Sequence, residues 1–259
     1  MTAGMTESRS TGRAEGAVDV AVYDRFFKDR RGTLLEVGAA RPDWLSIGAT
    51  YRQLGWDVLA VEPNPHFAEM HRAIGQEVAE VALSDKDENG VPFTVVDCRG
   101  ALYRDGRVSF ESWSSLGVRG RYADLNVPST RRTIAVRTCR ADTLLAERRP
   151  AWGLVDLVTV DVEGWELDVL AGLDFERYRP KVLIIENLFC DEDYRRFMAE
   201  RGYALWRIAF PNEVYVRTEL LSRRERFVAS ALAAGPTAAH RGRAAATQLY
   251  RQVCRRLAR

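Results

Sequence analysis

The sequence predicts an α/β fold, a mostly parallel sheet with helices on both faces and an antiparallel hairpin closing one edge. Three observations predict it. Short apolar runs such as 33–38 (TLLEVG), 155–160 (VDLVTV) and 181–185 (KVLII) recur through the chain, as strands buried on both faces do. Amphipathic stretches of helical period separate them, and strict alternation of strand and helix favours parallel pairing. Near the end, 203–217 holds two strand-like pieces around Pro211-Asn212, which reads as a closing hairpin.

Taken in order, residues 1–17 are polar and small and read as a tail, leading to a short helix with Val18, Val22 and Phe26 on one face. The first strand spans 33–38. Trp44, Ile47, Tyr51 and Leu54 then recur at helical spacing until Gly55. A second strand covers 57–61. Asn64 and Pro65 start the next helix, because Asn caps free amides and Pro suits the first turn. A third strand is expected at 77–83. Residues 84–132 break the rhythm, with a strand at 92–97 and a serine-rich segment at 109–116 (SFESWSSL). The pattern resumes with a strand at 134–138, a short helix at 142–146 and the strand at 155–160. A helix at 165–173, the strand at 181–185 and a helix opened by Asp191 and closed by Gly202 follow. The main domain thus runs 18–217. Residues 218–259, rich in Ala and Arg and split at Gly235-Pro236, form a helical extension that offers a homodimer contact.

Composition narrows the function classes. The 259 residues are 46% hydrophobic and 29% charged, as in ordinary globular proteins, and net charge is only +2, so no nucleic-acid partner is implied. No apolar run reaches the length of a membrane span, and the first residues hold no signal-peptide core, so a cytoplasmic location is expected. Cys98, Cys139, Cys190 and Cys254 lack metal-ligand spacing and read as reduced thiols.

The chemistry-bearing residues sit where predicted strands end, the ligand-binding edge of an open parallel sheet. Gly38, with Ala39 and Ala40, allows a close backbone approach after the first strand, but Arg41-Pro42-Asp43 follows, so the glycine pattern of a dinucleotide site is missing. Glu62 ends the second strand, where a carboxylate can grip both hydroxyls of a ribose. Asp161-Val162-Glu163-Gly164-Trp165-Glu166 follows the 155–160 strand, with Glu166 read as a helix cap. Glu186-Asn187 closes the next strand. Asp161, Glu186 and Asn187 would converge as a hard-oxygen set suited to Mg²⁺.

Together, EVGAA, VEPNP, ALSD, DVEGWE and KVLIIEN resemble the FkbM family of S-adenosylmethionine-dependent methyltransferases, from about residue 33 to 217. The resemblance implies a Rossmann-like class I methyltransferase sheet, S-adenosylmethionine as cofactor, and methylation of hydroxyl groups on secondary metabolites or sugars. It places Glu36, Gly38 and Ala39 along the methionine part of the cofactor. Glu62, with Pro63 and Asn64, would hold the ribose. Leu83 and Ser84 would border the adenine, and Asp161 would lie beside the methionine end and the acceptor. Ala40-Arg41-Pro42-Asp43 departs from the Gly-Ala-Asn-x-Gly run usual in the family's first motif.

A hydroxyl is a poor nucleophile at neutral pH, so its proton must be taken or shared. Asp161 or Glu163 as base, or a cation at Asp161, Glu186 and Asn187, would serve. Trp113 and Ser115 offer an aromatic face and a hydroxyl to a small-molecule or sugar acceptor. Two other readings remain at this point: an NAD(P)-dependent oxidoreductase, and a cofactor-binding protein of the same fold without catalysis.

Overall fold

The computed structural model describes residues 14–97, 113–124 and 130–234. The expected tail before residue 14, the first half of the serine-rich segment and the extension beyond residue 234 lie outside the described residues. Among the described residues the elements, in order, are α1 (Val18–Val22), β1 (Thr33–Val37), α2 (Ile47–Gln53), β2 (Asp57–Val61), α3 (Pro65–Ala73), β3 (Val78–Ala79), β4 (Ala82–Leu83) and β5 (Glu88–Asp97). Then come β6 (Thr130–Cys139), α4 (Ala141–Arg148), β7 (Leu157–Val160), α5 (Glu166–Ala171), α6 (Phe175–Tyr178) and β8 (Val182–Glu186). The series closes with α7 (Glu192–Glu200), β9 (Tyr203–Ala209), β10 (Asn212–Arg217) and α8 (Arg223–Ala234).

The main sheet has seven strands in the order β3-β2-β1-β7-β8-β10-β9. Pairing is parallel from β3 to β8, and β10 is antiparallel to both of its neighbours. The expected α/β class and closing hairpin are therefore present. Both faces are covered, which is why the strands read as unbroken apolar runs. Leu34, Val58, Leu157, Val182 and Ile184 pack with Val18, Val22 and Tyr51 on one side. Leu35, Leu59, Val158, Leu183 and Ile185 pack with Leu144, Leu170 and Met198 on the other.

Two local expectations change. The single strand at 77–83 is broken at Glu80-Val81: β3 stays on the edge of the main sheet, whereas β4 pairs with β6 in a second, three-stranded sheet, β4-β6-β5. A break cannot be read from apolar spacing, because both halves remain buried and alternate in the same way. The helix begun at Trp44 starts instead at Ile47, since Ser46 adopts extended backbone and its side chain accepts from Ala49 N.

Charges are buried where the hairpin meets β8. Glu213 is fully enclosed and accepts from Arg195 (2.6 Å), from Asn187 Nδ2 (3.1 Å) and from Tyr215. Truncating one side of such a pair strands the other charge away from water. Glu213→Ala is expected to lower the unfolding free energy by about 3–5 kcal/mol. Urea denaturation against wild type checks this, and a change below about 1 kcal/mol would mean the network contributes no more than a surface ion pair.

Candidate active site

The strand order reverses between β1 and β7, and there the two chains come unusually close. Gly38, at φ +78°, lies so near the next strand end that a Cβ on it would sit 1.7 Å from the carbonyl oxygen of Asp161. Asp161 N donates to Val37 O at 3.1 Å, and Gly38 N to Val61 O at 3.0 Å, tying three strand ends together. Beside this crossing opens a cleft at the strand ends.

One end of the cleft is apolar, formed by Val61, Phe67, Val81, Leu83 and Phe93. Glu62 stands beside it. Its two oxygens accept from the backbone at Ala40 (2.8 Å) and Asn64 (2.8 Å), which leaves lone pairs directed at the cleft. Burial raises its carboxyl to about 7, against those two stabilising hydrogen bonds. His71, buried beneath, bridges Ala40 O (3.1 Å) and Gln76 Oε1 (3.0 Å) and so fixes the turn on which Glu62 depends.

The other end is acidic. Asp161 opens into the cleft from the end of β7. Glu163, at φ +59°, turns back and is buried, and Glu186 ends β8 beside it. One oxygen from each of the three lies within 4.8 Å of the others. Although Asp161 has an open face, the cleft is narrow enough that lost solvation is the largest influence on it. With the charges of Glu166 and Glu15, this pushes its carboxyl to about 7. Burial, then Asp161 and its neighbours, push Glu163 and Glu186 well above the ordinary range. Glu166 is different in kind. It accepts from Val162 N (3.1 Å), Gly164 N (3.0 Å) and Tyr194 Oη (2.6 Å), so it shapes the loop.

Residues 113–124 run across this end as a strap. Ser115 exchanges backbone hydrogen bonds with Thr94 at 2.8 and 3.0 Å. Trp165 Nε1 donates to Gly117 O (2.9 Å). Arg119 lies 3.7 Å above the Trp165 ring and reaches Gly164 O (2.8 Å) and Asp168. Arg121 covers Phe189 and pairs with Asp191. Tyr122 Oη donates to Glu186 at 2.8 Å.

Of the residues singled out from sequence, Gly38, Glu62, Pro63, Leu83, Ser115 and Asp161 line the cleft. Several others are committed elsewhere. Glu36 accepts from Gly48 N (2.6 Å) and Ser46 Oγ (3.0 Å) and pairs with Arg52, so it anchors the start of α2 rather than facing the cleft. Ala39 packs with Ala60, Ala68 and Val78. Asn64 caps α3 through His66 N, and Ser84 Oγ turns to Asp85. Trp113 is half-buried outside the lining. Asn187 needs correction as a metal ligand: Nδ2 donates to Asp191 O and Glu213, and Oδ1 accepts from Asp191 N, so the amide belongs to the hairpin network. Glu163 takes its place in the cluster. Arg119, Arg121 and Tyr122 were not anticipated; nothing in their local pattern marks them, because they reach the site only through the path of the strap.

Fold and cleft together define a class: an open α/β sheet with a carboxylate that can hold a ribose at the end of its second strand and an acidic loop at the switch point. A model of the methyltransferase FkbM domain matches residues 36–205, and the chain belongs to that family. Its reaction class is therefore methyl transfer, not the hydride transfer that Gly38 and Glu62 alone would also allow. No curated protein matches the sequence. Among solved structures, precorrin-6y C5,15-methyltransferase from Geobacter metallireducens GS-15 is similar at 11% identity, over 82% of this chain and 92% of that one. Its TM-score of 0.37 is too low to carry an argument.

The raised carboxyl of Glu62 has a consequence for stability. Its folded pKa of about 7 exceeds the ordinary 4.5, so the folded protein binds this proton more tightly than the unfolded chain. The stabilising contribution is full below pH 4.5 and lost as pH rises to about 7. The ligand-free protein is expected to lose stability across that window, and Glu62→Gln to flatten part of the loss. Denaturation midpoints between those two pH values check it; identical slopes for both proteins would contradict it.

Proposed function

We propose that the chain is an S-adenosylmethionine-dependent O-methyltransferase acting in the cytoplasm on a hydroxyl of a small molecule, a secondary metabolite or a sugar. The observation that supports the cofactor most is Glu62, a buried carboxylate with free lone pairs between an apolar pocket suited to a purine and the backbone crossing at Gly38. A side chain at Gly38 would collide with the Asp161 carbonyl and force the ends of β1 and β7 apart. The residues fit the cofactor. Bound there, it would supply an electrophilic methyl group on a sulfonium.

The chain's part is to hold the acceptor in line with that methyl and to receive a proton. Asp161 faces the cleft, and a carboxyl held near 7 is matched to taking a proton at neutral pH. Asp161 would receive the hydroxyl proton of an acceptor held against that methyl group. Burial first, then the charges of Glu166 and Glu15, keep its proton affinity high. Ser115 and the Trp165 edge form the acceptor side of the cleft. No helix among the described residues is long and apolar enough to cross a membrane.

Isothermal titration with S-adenosylmethionine and S-adenosylhomocysteine tests this reading. Micromolar binding of both is expected, with Glu62→Ala weakening each by about 100-fold, the loss of two charge-assisted hydrogen bonds. A folded protein that binds neither would overturn the cofactor assignment. Binding without methylation of any hydroxyl in a broad acceptor panel would favour a cofactor-binding protein that does not catalyse.

A further inference from the structure

We infer that Asp161, Glu163 and Glu186 form a binding site for one hard divalent cation, of the Mg²⁺, Mn²⁺ or Ca²⁺ type, at the acceptor end of the cleft. The first observation is geometric. One oxygen from each carboxylate lies within 4.8 Å of the other two. An ion that holds oxygen at about 2.0–2.6 Å spans about 4–5 Å between opposite ligands, so the spacing matches such a shell. The donors are all carboxylate oxygens, the set that hard cations select over zinc or copper.

The second observation is independent of that spacing. Glu163 is only 6% exposed, and its Oε2 has no hydrogen-bond partner. The native fold rarely encloses a carboxylate oxygen without a donor, because such a group forfeits its hydration for nothing. Glu163 sits beside two further carboxylates and turns its own toward theirs. Neighbouring elements do not neutralise them. Tyr122 gives Glu186 one neutral hydrogen bond, and Glu166 is already satisfied by Val162, Gly164 and Tyr194. Glu15, from the turn before α1, adds negative charge close enough to act on both Asp161 and Glu163. The nearest guanidinium groups are committed: Arg119 to Asp168, Arg121 to Asp191. Among the described residues no ion pair reaches the three carboxylates.

A compact ion fits better than a cationic acceptor. Glu163 and Glu186 are both more than nine-tenths buried, beneath Tyr122, and only Asp161 reaches the cleft. An ion there would expose its remaining positions toward the cleft, where an acceptor hydroxyl could join it and lose its proton more readily, with Asp161 then serving as ligand in place of proton acceptor. That role rests on the methyl-transfer reading above, but binding of the ion does not.

The test uses the full chain with Mn²⁺ as probe, read as loss of the free-ion paramagnetic resonance signal. One Mn²⁺ per chain is expected, displaced by excess Mg²⁺. Glu163→Gln and Glu186→Gln should each weaken it at least tenfold, and Asp168→Asn, outside the cluster, should leave it unchanged. Thermal unfolding supplies a second reading: Mn²⁺ should raise the midpoint of the wild type and not that of Glu163→Gln. No saturable binding by folded protein, or binding that Glu163→Gln leaves intact, overturns the inference. S-adenosylhomocysteine titrated into the same samples reports the cofactor reading separately, so the two can fail independently.

Discussion

Much of this molecule depends on how closely β1 and β7 approach at their carboxyl ends. The backbone of Gly38 lies against the carbonyl of Asp161 with no room for a side chain, and hydrogen bonds from Asp161 to Val37 and from Gly38 to Val61 fix the three strand ends as one unit. This crossing sets the floor of the cleft. It also decides where the next residues go. Glu62 leaves β2 on one side of it and Asp161 leaves β7 on the other, so the Glu62 carboxylate and the acidic loop face a common space.

The same edge concentrates negative charge, and the fold treats its carboxylates unequally. Glu36, Glu62 and Glu166 each receive backbone hydrogen bonds, which orient them and hold turns in place. Glu213 receives a guanidinium. Asp161, Glu163 and Glu186 receive neither, apart from the Tyr122 hydroxyl on Glu186. Evenly distributed acidity would suggest solvated strand ends. Selective satisfaction of some and neglect of three that touch one another is the pattern of a site, because an unmet buried carboxylate is tolerated only where something else meets it in use.

Sequence reasoning reached the fold through signals that tertiary structure does not override. Apolar runs of strand length, the cap at Asn64, and the turns at Gly38 and Gly55 are local properties. Residues at strand ends were legible for the same reason, since topology places them together. What escaped was direction. Whether Glu36 points into the cleft or into α2 depends on Gly48 and Ser46, and whether Asn187 faces Asp161 or Glu213 depends on a hairpin that brings Glu213, 26 residues later, to β8. The break between β3 and β4 was hidden too, because changing sheets leaves the burial pattern of both halves unchanged.

The strap formed by residues 113–124 shows why the acceptor side is the least legible part. Besides the backbone pairing of Ser115 with Thr94 and the bond from Trp165 to Gly117, it is held by three side chains, each on a different element: Arg119 on the loop before α5, Arg121 on the loop before α7, Tyr122 on the end of β8. Such a piece contributes few core contacts, so its sequence is free of the periodicity that marks strands and helices. Yet it is the part that covers Glu186 and brings Ser115 to the cleft. The end of the cleft at Glu62 is built from strand termini whose positions the sheet dictates; the end at Ser115 is built from a strap whose course its anchors dictate. Variation among chains sharing this sheet should therefore gather in the strap more than at the strand ends.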